Sequence, residues 1–309
     1  MSRITYLGPE GTFTEAALLH MTAVGLIPDD GAEAVQRLPI DSTPAALDAV
    51  RKGEADYACV PIENSIDGSV MPTLDSLAIG SPLQVFAETT LDVAFSIVVK
   101  AGRSAADVRT LAAFPVAAAQ VRQWVAANLP TAELRPAYSN ADAARQVAEG
   151  QADAAVASPL AVTRWGLATL ADGVVDESNA RTRFVLVGNP GPPPVWTGAD
   201  RTSVVLRIDN APGALVAALA EFGLRDIDLI RIESRPTRTE LGTYLFFADC
   251  VGHIDDFAVA EALKALHRRC ADVRYLGSWA TGPATAVGAP PPDEATRWLE
   301  RLRDGKPAQ

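Results

Sequence analysis

The sequence predicts an α/β protein in two parts, a two-lobed unit of alternating strands and helices followed by a smaller β-α-β-β-α-β module. Three observations predict it. Short apolar runs alternate with helical patterns over residues 1–188. A phrase from Ser42 onward is repeated from Ser139 onward within that stretch. A proline-rich break at 189–200 then separates it from strands and helices in a different order. The chain has 309 residues, too many for one ordinary core and enough for two or three domains of ~100–200 residues.

Each element follows from local pattern. Residues 4–7 form an apolar strand, and 14–24 a helix whose N-cap is Thr12 or Thr14. Residues 35–40 are a strand. The helix over 44–52 takes Thr43 as N-cap and Gly53 as its stop, since a hydroxyl satisfies the first free amides and glycine accepts a left-handed turn. A buried strand follows over 55–62. This alternation makes βαβ units and a largely parallel sheet.

The repeated phrase reads STPAALDAVRKGEADYA from Ser42 and SNADAARQVAEGQADAA from Ser139. Ser42/Ser139, Ala46/Ala143, Val50/Val147, Gly53/Gly150, Ala55/Ala152, Asp56/Asp153 and Ala58/Ala155 are identical at constant offset. Two similar lobes account for it, although any capped helix, glycine stop and buried strand look somewhat alike. Two lobes joined by crossover strands enclose a cleft of the kind that binds small ligands. The β-rich stretch 83–100 lies between the copies and is the natural crossover.

Four of the twelve residues at 189–200 are proline, which ends helices and central strands, so this stretch is a linker. Beyond it come a strand at 202–208, the turn Asn210-Ala211-Pro212-Gly213, a helix at 214–222, and strands at 226–234 and 243–251 around the turn 236–242. A helix at 258–270 and a strand at 273–279 complete the module. That order is the ferredoxin-like pattern. The domains are therefore 1–188, the linker 189–200, the module 201–280, and a low-complexity tail 281–309 in which 293–303 is a short surface helix.

Composition limits the partners. Lys and Arg total 27 against 38 Asp and Glu, a net charge of −11, which argues against nucleic acid or an anionic membrane. A small anionic substrate stays open, because a pocket can be locally positive on an acidic protein. Three distant cysteines make neither a disulfide framework nor a zinc site, and His20, His253 and His267 have no metal spacing. No signal-peptide pattern and no membrane-length apolar run is present, so the expected location is cytoplasmic. No metal, flavin or nicotinamide motif is visible, and no cofactor is expected.

Three polar motifs carry candidate chemistry. Gly8-Pro9-Glu10-Gly11-Thr12-Phe13-Thr14 closes the first strand. Its Gly8 and Gly11 amides and Thr12 either face an anion at a positive helix end or form an ordinary capped turn. Val60-Pro61-Ile62-Glu63-Asn64-Ser65 ends a buried strand, where ligand crevices form. It offers an acceptor, an amide and a hydroxyl, with Ser65 or Ser69 also suited to capping the next helix. Ser178-Asn179-Ala180-Arg181-Thr182-Arg183-Phe184 brackets a hydroxyl with two arginines. It is either a carboxylate-binding corner or a surface turn into a strand.

Taken together, Tyr6-Leu7-Gly8-Pro9-Glu10-Gly11-Thr12-Phe13-Thr14-Glu15, Val60-Pro61-Ile62-Glu63-Asn64-Ser65 and Thr182-Arg183-Phe184 resemble the prephenate dehydratases of phenylalanine biosynthesis. Gly213-Ala214-Leu215-Val216 and Glu233-Ser234-Arg235-Pro236 resemble the two phenylalanine-binding motifs of their regulatory ACT domain. The resemblance spans about residues 3–280. It implies a two-lobed, periplasmic-binding-protein-like (type II) catalytic unit and a monofunctional enzyme, without the helical chorismate mutase domain fused to some relatives. One motif departs. Where family members usually carry Ser-His before a proline, this chain reads Ala113-Phe114-Pro115, with the downstream Gln120 kept.

The implied reaction takes prephenate to phenylpyruvate, water and carbon dioxide. Aromatisation supplies the driving force, so no electron sink is required, in keeping with the missing cofactor motifs. The resemblance gives Thr182 the proton-donor role. It leaves Arg183, Glu63, Asn64, Ser65 and Gln120 as further catalytic candidates, and Gly8, Gly11, Thr12 and Phe184 as substrate contacts. It places an L-phenylalanine effector at Ala211, Pro212, Gly213, Ala214, Leu215 and Val216 together with Glu233, Ser234, Arg235 and Pro236 of a neighbouring subunit. The assembly is then a homo-oligomer, dimer or tetramer, paired through ACT domains. The competing reading is a non-catalytic two-lobed small-molecule binding protein with an amino-acid-sensing module.

Overall fold

The structure is a computed structural model that describes residues 1–28, 35–177, 179–238, 241–282 and 293–304. Ser178 and most of the proline-rich run at 282–292 lie outside the described residues. The chain forms two compact units, residues 1–76 with 88–189 and residues 77–87 with 190–309.

In the first unit, one lobe is built from β1 (Ser2–Leu7), α1 (Phe13–Ala23), β2 (Val35–Ile40), α2 (Thr43–Arg51), β3 (Tyr57–Asn64), the short β4 (Gly68–Ser69), α3 (Met71–Ala78) as far as Ser76, and β5 (Gln84–Asp92) from Glu88 onward. The other holds β6 (Phe95–Val99), β7 (Thr110–Ala113), α4 (Pro115–Gln120), α5 (Arg122–Asn128), β8 (Glu133–Pro136), α6 (Asn140–Glu149), β9 (Ala154–Ala157), α7 (Pro159–Trp165) and β10 (Ala168–Val174). β11 (Arg181–Gly188) returns to the first lobe, where the strand order is β2-β1-β3-β11-β5 with β4 beside β3. The second sheet runs β10-β6-β9-β7-β8. This is a two-lobed architecture with one sheet in each lobe, and β5 to β6 and β10 to β11 are the crossings.

The sheets are mixed rather than largely parallel. β1 pairs parallel with β2 and β3, and β7 with β8 and β9, as βαβ units require. β11 runs antiparallel to β3, and β6 antiparallel to β9 and β10, because the crossing strands enter from the opposite lobe. Ile4, Leu47, Val60 and Leu186 are fully buried in the first lobe; in the second, Ile97 and Val156 lie in one core cluster and Ala143 and Val147 in another.

The repeated phrase builds the same piece twice. Ser42 caps α2 by accepting from the Ala45 amide, and Ser139 caps α6 by accepting from the Asp142 amide. Ser42, rather than Thr43, is the N-cap, since Thr43 is already helical. The identical aspartates do identical work: Asp56 accepts from the Arg3 amide (2.7 Å) and Asp153 from the Arg109 amide (3.0 Å), each fastening the adjacent first strand.

The second unit contains β12 (Asp200–Arg207), α8 (Ala214–Gly223), β13 (Leu229–Pro236), β14 (Tyr244–Val251), α9 (Phe257–Arg269) and β15 (Asp272–Ala280), in the antiparallel order β13-β14-β12-β15. Val204, Leu206, Phe222, Ala248 and Leu266 form its core. Segment 77–87 belongs here because Arg274 donates to the Leu77 and Gly80 carbonyls (3.0 Å each), and Gly277 lies against the Val85 carbonyl. A last helix, α10 (Glu294–Arg303), is capped by Asp293. Among the described residues no helix is long and apolar enough to cross a membrane.

Candidate active site

A cavity of about 520 Å³ opens in the first unit at the carboxyl ends of β1 and β3, where α/β sheets place their ligands. One lobe gives it Gly8, Thr12, Thr14, Thr182 and Phe184, and the other gives Phe114, Tyr138, Ser139, Asn140 and Asp142. Thr182 and Phe184 both face it because side chains two apart on β11 share a face of the sheet.

Thr182 sits opposite Asn64 in the β3–β11 ladder, and Asn64 Nδ2 donates to Thr182 Oγ1 at 2.9 Å. The direction of that bond is fixed by the loop after β3. Asn64 Oδ1 accepts from the amides of Ile66 (2.8 Å) and Asp67 (3.0 Å), which turns the NH₂ end toward Thr182. Thr182 Oγ1 is therefore an acceptor in this pair. Its own proton has no acceptor among the described residues and is left for a molecule in the cavity.

No lysine or arginine is among the described residues lining the cavity. The lining includes the Asp41 and Asp142 carboxylates, and donors for an anion come from helix ends instead. The first turns of α1 and α6 carry amides at Phe13, Thr14, Asn140 and Ala141 that have no intrahelical acceptor. Burial works to raise the Asp142 carboxyl, but the Tyr138 amide, Arg145 and Gln146 outweigh it and hold it below the ordinary carboxylate range. Arg145 pairs with that carboxylate at 2.6 Å and offsets its charge.

The sequence-predicted residues divide. Thr182, Phe184, Gly8 and Thr12 line the cavity, and Asn64 reaches it through Thr182. The glycine amides are not free to hold an anion: Gly8 N–H donates to the Ile40 carbonyl (2.9 Å) and Gly11 N–H to Glu15 Oε2 (2.6 Å). Thr12 is the N-cap of α1, accepting from Glu15 N–H and donating to the Leu7 carbonyl (3.0 Å).

Ser65 caps no helix. It ties the β3 loop to β11, donating to the Asn179 carbonyl (3.0 Å) and accepting from Arg181 N–H (2.8 Å). Arg183 points to the face of β11 opposite Thr182, where its guanidinium pairs with Glu63 (2.9 Å) and Glu88 (3.1 Å), so Arg183 and Glu63 lie off the cavity. Gln120, buried in the second lobe, donates to Asp67 Oδ2 at 3.2 Å.

Five lining residues were not singled out by sequence motif: Asp41, Tyr138, Ser139, Asn140 and Asp142. The repeat held the signal for three of them, because its second copy begins at Ser139 just as the first begins at Ser42. Phe114, standing where the family motif departs, is an aromatic wall of the cavity.

In the second unit a cavity of about 390 Å³ is lined by Asn210, Ala211, Ala214 and Leu215 from the α8 approach and by Thr243, Tyr244 and Phe246 across it. Gly213 is the N-cap of α8, with φ +80°, a left-handed turn natural to glycine. Glu233, Ser234, Arg235 and Pro236 lie on β13 and are not among its lining residues.

Comparison with known proteins finds two families along the chain. The family model for prephenate dehydratase matches residues 4–192, and that for the ACT domain matches 202–268. A prephenate dehydratase of Mycobacterium tuberculosis is 81% identical over 309 residues, covering 100% of this chain and 96% of its own. One from Mycobacterium leprae is 80% identical over 311 residues, covering 100% and 97%. The crystal structure of an Arthrobacter aurescens prephenate dehydratase in complex with L-Phe superposes with a TM-score of 0.86 at 39% identity, covering 98% of this chain and 100% of that one.

Proposed function

The chain belongs to the prephenate dehydratase family, and from that premise we propose that Thr182 donates the proton that carries away the ring hydroxyl of prephenate. The enzyme converts prephenate to phenylpyruvate, water and carbon dioxide. The ring carboxylate leaves as carbon dioxide, its bonding pair enters the ring, and the C–OH bond breaks. The departing hydroxide takes one proton, which Thr182 recovers from solvent.

The observation that carries this reading is the oriented Asn64–Thr182 bond. A threonine hydroxyl is a weak acid, and a fixed donor to its oxygen polarises it and aims its proton into the cavity. The amides of α1 and α6 take the substrate carboxylates. With no cation among the described lining residues, the departing carboxylate is not held by an ion pair, which favours loss of its charge as carbon dioxide. Phe114 and Phe184 flank the ring.

The second unit supplies control. L-Phenylalanine, the ligand in the Arthrobacter structure, binds at Ala211, Ala214 and Leu215, and the β13 residues 233–236 of a neighbouring copy complete the site. The enzyme is then a dimer or tetramer. In support, β13 is an edge strand whose Ile230 and Ile232 are about half exposed. Effector binding lowers activity by favouring a less active arrangement. The three cysteines are free, in keeping with a cytoplasmic location.

The test follows phenylpyruvate formation from prephenate at neutral pH, with the acid-catalysed background subtracted, for wild type and Thr182→Ala. Turnover lost in the variant with the fold retained supports the assignment, and near-normal turnover removes Thr182 from the mechanism. A phenylalanine titration of wild type and Gly213→Trp tests the effector site, and an identical response in both counts against it.

A further inference from the structure

Arg183 is the residue next to the proposed acid, yet it faces away from the cavity and is 7% exposed. A buried guanidinium is costly unless carboxylates meet it, and here two do, from the strands on either side. Glu63 on β3 accepts from Arg183 Nε (3.1 Å) and Nη2 (2.9 Å), and Glu88 on β5 accepts from Nη1 (3.1 Å). The two carboxylates are not equivalent. The Glu63 side chain is 40% exposed and screened by water, whereas that of Glu88 is 7% exposed. The dry half of the clamp is the stronger electrostatic hold.

We propose that Glu88 is a positioning residue for the reaction, anchoring Arg183 beneath the sheet so that Thr182, one residue away on the other face, stays opposite Asn64. β11 lies between β3 and β5, and the β3–β11 ladder has an irregularity between Arg183 and Phe184, directly beside Thr182. The ladder is locally disrupted at such a point. The Arg183 clamp crosses all three strands there and fixes what the ladder leaves loose. Glu88 is not among the described residues lining the cavity, so its effect on the substrate is indirect and passes through Arg183 to Thr182. The inference rests on the reading of Thr182 as proton donor and adds a residue that no sequence motif marks.

The test is steady-state kinetics on full-length Glu88→Gln and Glu88→Asp, with Thr182→Ala alongside and thermal unfolding measured for each. Glutamine keeps the shape and an acceptor but loses the charge. The expected result for Glu88→Gln is a kcat lowered about tenfold with KM within about twofold of wild type, since misplacing a reacting group costs rate more than binding. Glu88→Asp, which keeps the charge on a shorter stem, falls between. Unchanged kcat with a lowered melting temperature overturns the proposal in favour of a purely structural role. Raised KM with unchanged kcat overturns it in favour of a substrate contact. Should Glu88→Gln fail to fold, Glu88→Asp decides alone: a lower kcat at constant KM supports the proposal, and wild-type kcat overturns it. An active Thr182→Ala defeats the parent reading, and this one with it. An inactive Thr182→Ala beside a normal Glu88→Gln defeats only the positioning role.

Discussion

Asn64 Nδ2 donates to Thr182 Oγ1 at 2.9 Å, while Asn64 Oδ1 is held by two loop amides on its other side. Asn64→Asp preserves the acceptor for those amides and so preserves the loop. It reverses the bond to Thr182, because a carboxylate can only accept, and the threonine proton turns away from the cavity. The expected outcome is a kcat lowered by about 10²-fold, the scale of positioned acid–base help, with KM little changed. Steady-state rates with prephenate check it, and retention of wild-type kcat shows that the bond's direction is immaterial.

A serine at position 182 asks a different question. Thr182→Ser keeps the hydroxyl and the Asn64 donor but loses the β-branch that limits rotamers on a strand. It retains most of the catalysis that Thr182→Ala loses, with a kcat deficit of about tenfold or less against about 10²-fold or more for alanine. Equal losses in the two variants would point to packing by the methyl group rather than to the hydroxyl.

Much of this arrangement was legible in the sequence, and the parts that were not share a physical reason. The repeat marked two lobes, and Asp56 and Asp153 fasten equivalent strands in each. Thr182 and Phe184 reach the cavity together because a strand alternates faces, and that rule sends Arg183 to the other side. The motif, open to reading as a carboxylate-binding corner or as a surface turn, obscured this. Glu88 was hidden in a β-rich crossover, where one carboxylate among apolar residues announces no partner. The Gly8 and Gly11 amides looked free because sequence does not show where a backbone donor ends, and here it ends on Ile40 and Glu15.

Gly11 tests the junction of the lobes without touching the reacting groups. Its φ is +89°, and an added Cβ would lie 3.3 Å from the Cα and Cβ of Ala161 on α7. Ser158 at the head of α7 also donates to the Gly11 carbonyl, so the loop has little room to withdraw. Gly11→Ala should therefore destabilise the protein by about 1–2 kcal/mol, the cost of a left-handed non-glycine residue, with any crowding added. Urea unfolding measures it, and an unchanged midpoint would mean the loop relaxes freely.

Alkaline pH should loosen both units through one tyrosine in each, the buried Tyr6 and the partly buried Tyr275. Tyr6 is 1% exposed, and burial, helped by the Glu15 carboxylate, pushes its phenol up to about 12. Burial likewise pushes Tyr275 up to about 12. Both values lie above the unfolded reference near 10, so below about pH 10 the phenols are protonated in either state and favour neither. Between about pH 10 and 12 the unfolded chain releases protons that the folded chain keeps, and stability falls as pH rises. The limit is about 3 kcal/mol for Tyr6 over a gap of about two pH units. Denaturant unfolding at pH 8 and pH 11 should show the decline, and Tyr6→Phe, which cannot ionise, should flatten part of it. A Tyr6→Phe variant as alkali-sensitive as wild type would place the titrating group elsewhere.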